Sequence, residues 1–193
     1  IKNLNYFYPS KAVFLDRDGV INKEVKKVKN FNNFKILPNT SKAIKKLNLN
    51  KIPCFIISNQ SGLAKKEFSL NNLLKIITKL DNYLSKDASY IDDFLICPHY
   101  NQKKFKNINL SFFSNFRKPH PGMINTLAAK YYINLKKSYF VGDTDIDILA
   151  GKKAGLKTIL VEGPKIKDYK INIKPNYKVK NLSSAVKLVL KKN

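Results

Sequence analysis

Short uninterrupted apolar runs recur along the chain, and each stops abruptly at polar residues. Residues 12–15 read AVFL and break into Asp16-Arg17-Asp18-Gly19. Residues 52–57 form a second run, with Pro53 near its start, and end in Ser58-Asn59-Gln60-Ser61-Gly62. Residues 92–97 give a third strand candidate with FLIC as its apolar part, 138–141 a fourth that ends in Gly142-Asp143, and 157–161 a fifth; a further short strand is expected near 177–179. Runs this short suit buried strands rather than helices. Between them the apolar spacing turns helical. A helix to about Leu49 has Ala43, Ile44 and Leu47 inward and Asn39, Thr40 or Ser41 as its cap. A second, over 69–85, has Leu70, Leu73, Leu74, Ile77 and Leu80 inward. Others follow Met123 to about Tyr132, span 145–154 before Gly155, and span 183–190. Strand and helix alternate throughout, which predicts an α/β fold: one domain over 1–193 with a mostly parallel central sheet and helices on both faces. The stretches 23–35 and 98–116 show no period and read as loops.

In an open sheet of this kind, ligands bind just beyond the carboxyl ends of the strands. Asp16 and Asp18 stand there, two carboxylates at i and i+2. Acids so close repel one another unless a cation lies between them, and Mg²⁺ is a hard ion that prefers such oxygens. Asp-x-Asp-Gly alone is equally a turn. Its weight comes from three further tips or adjoining loops with polar chemistry: Ser58 with Asn59, Arg117 with Lys118, and Asp143 with Asp147.

Taken in order, DRDGV, SNQSG, RKPHPGM and GDTDID resemble the motif set of the haloacid dehalogenase-like phosphatase superfamily, over roughly residues 11–190. The resemblance implies a Rossmann-like three-layer sandwich with a minimal cap made of loops. It implies Asp16 as the nucleophile that forms an aspartyl-phosphate and Asp18 as the acid and base. Such proton transfer is typically worth ~10²–10⁴-fold. Mg²⁺ is the implied cofactor, held by Asp16, the backbone carbonyl of Asp18, and Asp143. Ser58 and the backbone N–H of Asn59 would hold phosphoryl oxygens, and Lys118 would stabilise charge on the nucleophile and the transferring group. Asp147 would orient Lys118 or a metal-bound water, while Asp145 would only cap its helix.

Finer motifs, FLDRDGVIN, ISNQSGLA, LICPH and RKPHPGM, are similar to the D-glycero-D-manno-heptose 1,7-bisphosphate 7-phosphatases and the related histidinol-phosphate phosphatases. There Arg117 would bind a substrate phosphate or sugar oxygen, and loops 23–35 and 98–116 would choose the substrate. Two departures stand out. Thr144 replaces the Lys of a common Gly-Asp-Lys. Cys97 and His99 match the first pair of a four-ligand zinc site, but Ser114 and Phe116 replace the second pair. Two ligands do not close a structural tetrahedron, so no zinc is expected, and Tyr100, Phe105, Phe112, Phe113 and Phe116 would pin that loop by burial.

Composition changes the picture little. The chain of 193 residues is 44% hydrophobic, enough for a substantial core. No run approaches a membrane span, and the opening IKNLNYFYPS lacks the apolar core of a signal peptide. With two cysteines, Cys54 and Cys97, no disulfide framework is indicated, and a cytoplasmic monomer is the default. The net charge of +24 suits a polyanion. The excess, however, is almost all lysine, scattered without a basic arm in a chain also rich in Asn and Ile, as codon bias would give. The only arginines, Arg17 and Arg117, both fall inside the motifs. A small phosphorylated metabolite is therefore the expected partner. A nucleic-acid 3′-phosphatase and a non-catalytic binding protein on the same scaffold are the rival readings.

Overall fold

The computed structural model describes residues 11–23, 34–100, 115–162 and 173–192. Six strands form a single sheet: β1 (Val13–Leu15), β2 (Cys54–Asn59), β3 (Asp93–Cys97), β4 (Tyr139–Gly142), β5 (Lys157–Val161) and β6 (Tyr177–Val179). Their order is β3-β2-β1-β4-β5-β6, and every pairing is parallel. Parallel neighbours need crossovers: α1 (Thr40–Leu49), α2 (Leu70–Ser85), α3 (Gly122–Lys130) and α4 (Asp145–Lys153) lie in the connections from β1 through β5, and α5 (Leu182–Lys191) follows β6.

Strand side chains alternate between faces, and the core divides accordingly. Val13, Leu15, Ile56, Tyr139, Val141 and Ile159 pack with α1, α2 and α5, whereas Phe14, Phe55, Ile57 and Phe140 pack with α3 and α4. Helices therefore cover both faces, in the three layers that the alternation of elements predicts. None of the described helices is long and apolar enough to cross a membrane.

Three local details differ from the sequence reading. The inward face of α2 carries Leu73, Ile76, Leu80 and Leu84, while Leu70 and Leu74 are 59% and 50% exposed. The apolar stripe on α2 is wider than the core it meets, so spacing alone selected the wrong edge of it. Asn39 precedes α1 in a left-handed conformation without a side-chain cap. Thr40 is buried and donates to the carbonyls of Leu37 and Ile21 at 2.8 and 3.3 Å, and Ser41 donates to Asp87. Finally, α4 is capped by Thr144 rather than Asp145.

Of the two loops expected to frame the site, residues 24–33 and 101–114 lie outside the described residues, with Phe105, Phe112, Phe113 and Ser114 among them. At the base of the first, Asn22 and Ile36 form an antiparallel bridge. At the ends of the second, Phe116 is half-buried against the α3 side of the core.

Candidate active site

The sheet order reverses between β1 and β4, the switch point where open α/β sheets bind ligands. Asp16 follows β1 directly and Asp143 follows β4 directly. The Asp16 backbone N–H donates to the Val141 carbonyl at 2.9 Å, which ties the two tips together. Ser58 and Asn59 end β2 on the other side of β1.

Lys118 is the hub. It is 4% exposed, and its ammonium lies 2.6 Å from Asp16 Oδ1, 2.7 Å from Asp147 Oδ1 and 3.2 Å from the Ile57 carbonyl. Three protons meet three acceptors. Burial opposes its charge, but Asp147 and Asp16 outweigh that and hold the amine well above the ordinary lysine range. Asp16 is also shifted upward, to about 7: burial is the largest cause, Asp147 and Asp18 add to it, and Lys118 opposes it. One ammonium shared by two buried carboxylates is consistent with both shifts.

Asp147 reaches Lys118 because α4 starts tightly. The Thr144 hydroxyl donates to Asp147 Oδ2 at 2.7 Å, and the Thr144 N–H donates to the same oxygen at 3.1 Å. The Asp147 N–H closes the capping box on Thr144 Oγ1. Gly142 makes room: a Cβ there would lie 2.2 Å from Asp147 Cβ. Gly19 is constrained twice. Its φ is +87°, and a Cβ would lie 1.9 Å from Asp143 Oδ2.

Oxygens of Asp16, Asp143 and Asp147 all lie within 4.8 Å of one another. Three carboxylates gathered this closely, with the Lys118 ammonium against Asp16 and Asp147, fit a divalent cation with oxygen ligands. Both Asp147 oxygens are already taken, by Lys118 and Thr144. The Asp18 carboxylate is not part of this cluster. Arg17 Nη2 donates to both its oxygens at 2.8 and 2.7 Å, Asn22 Nδ2 donates at 2.9 Å and Gln60 Nε2 at 3.0 Å. Burial pushes Asp18 up, but Arg17, Asn22 and Gln60 together hold it below the usual carboxylate range.

Asn59 does something its sequence position does not announce. Its side chain accepts from the Lys118 N–H and donates to the Lys118 carbonyl, both at 3.0 Å, so it clamps the backbone beneath the hub. Arg117 donates to the His99 carbonyl at 2.8 Å, and its guanidinium carbon lies 6.0 Å from the Tyr100 ring centre. Cys97 is buried and in no disulfide, and burial pushes its pKa up. The sequence reading assigned no role to Arg17, Asn22, Gln60 or the Asn59 side chain. Arg17 carried a signal, as one of two arginines, and Thr144-x-x-Asp147 has the spacing of a capping box.

The fold and the acid–lysine cluster are those of a phosphoryl-transfer hydrolase of the haloacid dehalogenase type. Comparison with known proteins agrees. Residues 115–185 match the HAD-hydrolase-like family. A D-glycero-beta-D-manno-heptose-1,7-bisphosphate 7-phosphatase from Rhodopseudomonas palustris is 34% identical, over 80% of this chain and 85% of its own. A D-glycero-alpha-D-manno-heptose-1,7-bisphosphate 7-phosphatase from Photorhabdus laumondii is 36% identical, over 76% and 79%. Among solved structures, D,D-heptose 1,7-bisphosphate phosphatase from B. bronchiseptica, complexed with magnesium and phosphate, superposes with a TM-score of 0.83 at 26% identity and covers 95% of this chain and 99% of that one. The chain belongs to the haloacid dehalogenase-like phosphatases, in the family these relatives represent.

Proposed function

We propose that the protein is a Mg²⁺-dependent phosphatase that removes the 7-phosphate of D-glycero-D-manno-heptose 1,7-bisphosphate through an aspartyl-phosphate on Asp16. The observation that carries the chemistry is the buried Lys118 held between Asp16 and Asp147, with Asp143 beside them. The substrate rests on the relatives, whose names give this activity. Asp16, Asp143 and the Asp18 carbonyl are the groups to hold the cation. Once bound, it neutralises the repulsion between a carboxylate nucleophile and an anionic phosphoryl group.

The remaining work falls to the chain. Asp16 Oδ2 attacks phosphorus, an O–P bond forms, and the P–O bond to the sugar breaks. Asp18 gives its proton to the departing alkoxide. It then takes one from water, which attacks the aspartyl-phosphate and releases inorganic phosphate with Asp16 regenerated. Asp18 rests as a carboxylate against Arg17. An incoming phosphoryl dianion adds negative charge beside it and so favours the proton that the first step needs. Lys118 stays charged throughout and fixes the orientation of Asp16. Ser58 and the Asn59 N–H, at the end of β2, would receive phosphoryl oxygens, and Arg117 would receive a more distant oxygen of the substrate.

The test is phosphate release with and without Mg²⁺. The substrates are heptose bisphosphate, histidinol phosphate, other sugar phosphates and 3′-phosphorylated oligonucleotides, with Asp16→Asn as control. The expected result is Mg²⁺-dependent release from heptose bisphosphate above all others, abolished in Asp16→Asn. A preference for 3′-phosphorylated DNA, or activity that survives Asp16→Asn, would overturn the proposal.

A further inference from the structure

Gln60 stands just past Ser58 and Asn59 at the end of β2 and is 6% exposed. Its backbone is fixed from two directions. The N–H donates to the Cys97 carbonyl at the end of β3 at 2.8 Å, and the carbonyl accepts from Leu63 N at 3.1 Å. The side-chain amide nitrogen has two protons and both are engaged: Nε2 lies 3.0 Å from Asp18 Oδ2 and 2.8 Å from Ser58 Oγ. A carboxylate only accepts, so the amide atom facing Asp18 is the nitrogen. The Ser58 hydroxyl has one proton and two lone pairs. With Gln60 donating into it, its own proton remains for another acceptor, and none of the hydrogen bonds among the described residues uses it.

We infer that Gln60 is a positioning residue that couples the two halves of the reaction: one amide nitrogen sets the place of the acid–base Asp18 and turns Ser58 into a directed donor toward the phosphoryl group. The inference rests on the proposed phosphatase reading and deepens it. Asp18 is clamped on one side by Arg17 and Asn22 and on the other by Gln60. Without Gln60 the carboxylate keeps its cationic partner and loses the contact that draws it toward Ser58. Misplacement of a reacting group by about 1 Å costs up to about 10²-fold. That cost falls on leaving groups that need a proton, since an aryl oxide departs without one.

The experiment compares turnover of an alkyl phosphate (the best sugar phosphate from the screen above) with p-nitrophenyl phosphate, in Mg²⁺. The proteins are the wild type, Gln60→Met and Gln60→Glu. Met keeps the length and removes both donors; Glu keeps the shape and sets an acceptor against Asp18. The alkyl-to-aryl ratio of kcat/KM does not depend on the fraction of protein folded, so partial unfolding does not obscure it. In Gln60→Met this ratio is expected to fall about tenfold or more, and further in Gln60→Glu. If the ratio stays within about twofold of wild type, Gln60 does not set the place of the acid–base Asp18, the coupling of the two halves fails and the inference is overturned. A wild type that hydrolyses neither ester removes the phosphatase reading itself, and this inference with it.

Discussion

Replacing Lys118 with Met tests the centre of the site most directly. The two side chains are similar in length, so the change removes a charge and leaves little cavity. The wild-type ammonium satisfies Asp16, Asp147 and the Ile57 carbonyl from a position only 4% exposed. In the variant, two carboxylates of low exposure face each other, with Asp143 within 4.8 Å. Breaking a buried pair by removing one partner costs about 3–5 kcal/mol. For a chain of this size that lowers Tm by about 6–20 °C. Urea unfolding in EDTA gives the free energy and differential scanning calorimetry the Tm. Mg²⁺ should return part of the loss, because a cation that binds only the native state stabilises it by mass action. Activity should fall by at least about 10²-fold, the scale on which one electrostatic contact of this kind acts. A stability loss under about 1 kcal/mol, the worth of an exposed pair, would refute the reasoning: Lys118 would not be the internal counter-ion of two acids.

Other outcomes follow from single contacts. Gly19→Ala places a methyl against Asp143 Oδ2 at a φ of +87°; it should cost about 1–2 kcal/mol in backbone strain and raise the Mg²⁺ concentration needed for half-maximal activity, and an unchanged Mg²⁺ titration counts against Asp143 as a ligand. Thr144→Val removes the hydroxyl of the α4 capping box and should lower stability by about 1 kcal/mol in urea unfolding, with a loss of turnover because Asp147 is freed to leave Lys118. In metal-free protein Asp16 holds its proton up to about 7 against an ordinary 3.8, so the native state binds more protons than the unfolded chain across that interval. Its stabilising effect is then full below 3.8 and is lost as pH rises toward 7, and the wild type minus Asp16→Asn difference in urea midpoints should decline over that range in EDTA. A difference that rises with pH would contradict it. Asp18 has the opposite sign: held low by its donors, it contributes above the ordinary carboxylate value and loses that contribution as pH falls below it.

Sequence and structure meet most closely where the physics is local. The runs at 12–15, 52–57 and 138–141 became central strands because an unbroken buried run has few other uses, and the polar residues that stop them at Asp16, Ser58 and Asp143 lie at the sheet's carboxyl edge. What depended on long-range geometry was not legible. Leu74 and Ile76 both fit a helical stripe, and only the position of α2 on the sheet decides that Ile76 is buried and Leu74 is not. The Asn59 clamp joins residues 59 apart in sequence and the Gln60–Asp18 bond residues 42 apart, and neither pairing leaves a spacing to read. Thr144 shows the reverse. The Thr144-x-x-Asp147 spacing is local and legible in the sequence, and it forms the cap of α4.

The strand order carries a consequence for how the enzyme comes into being. Asp16 is encoded early and Asp143 late, yet β1 and β4 are hydrogen-bonded neighbours. A nascent chain therefore holds Asp16 long before the partner strand exists, and the acid–lysine cluster is complete only when the middle of the sheet closes. Catalysis is in that sense a readout of completed tertiary assembly, and any lesion that detaches β4 should silence the enzyme however intact its first half remains.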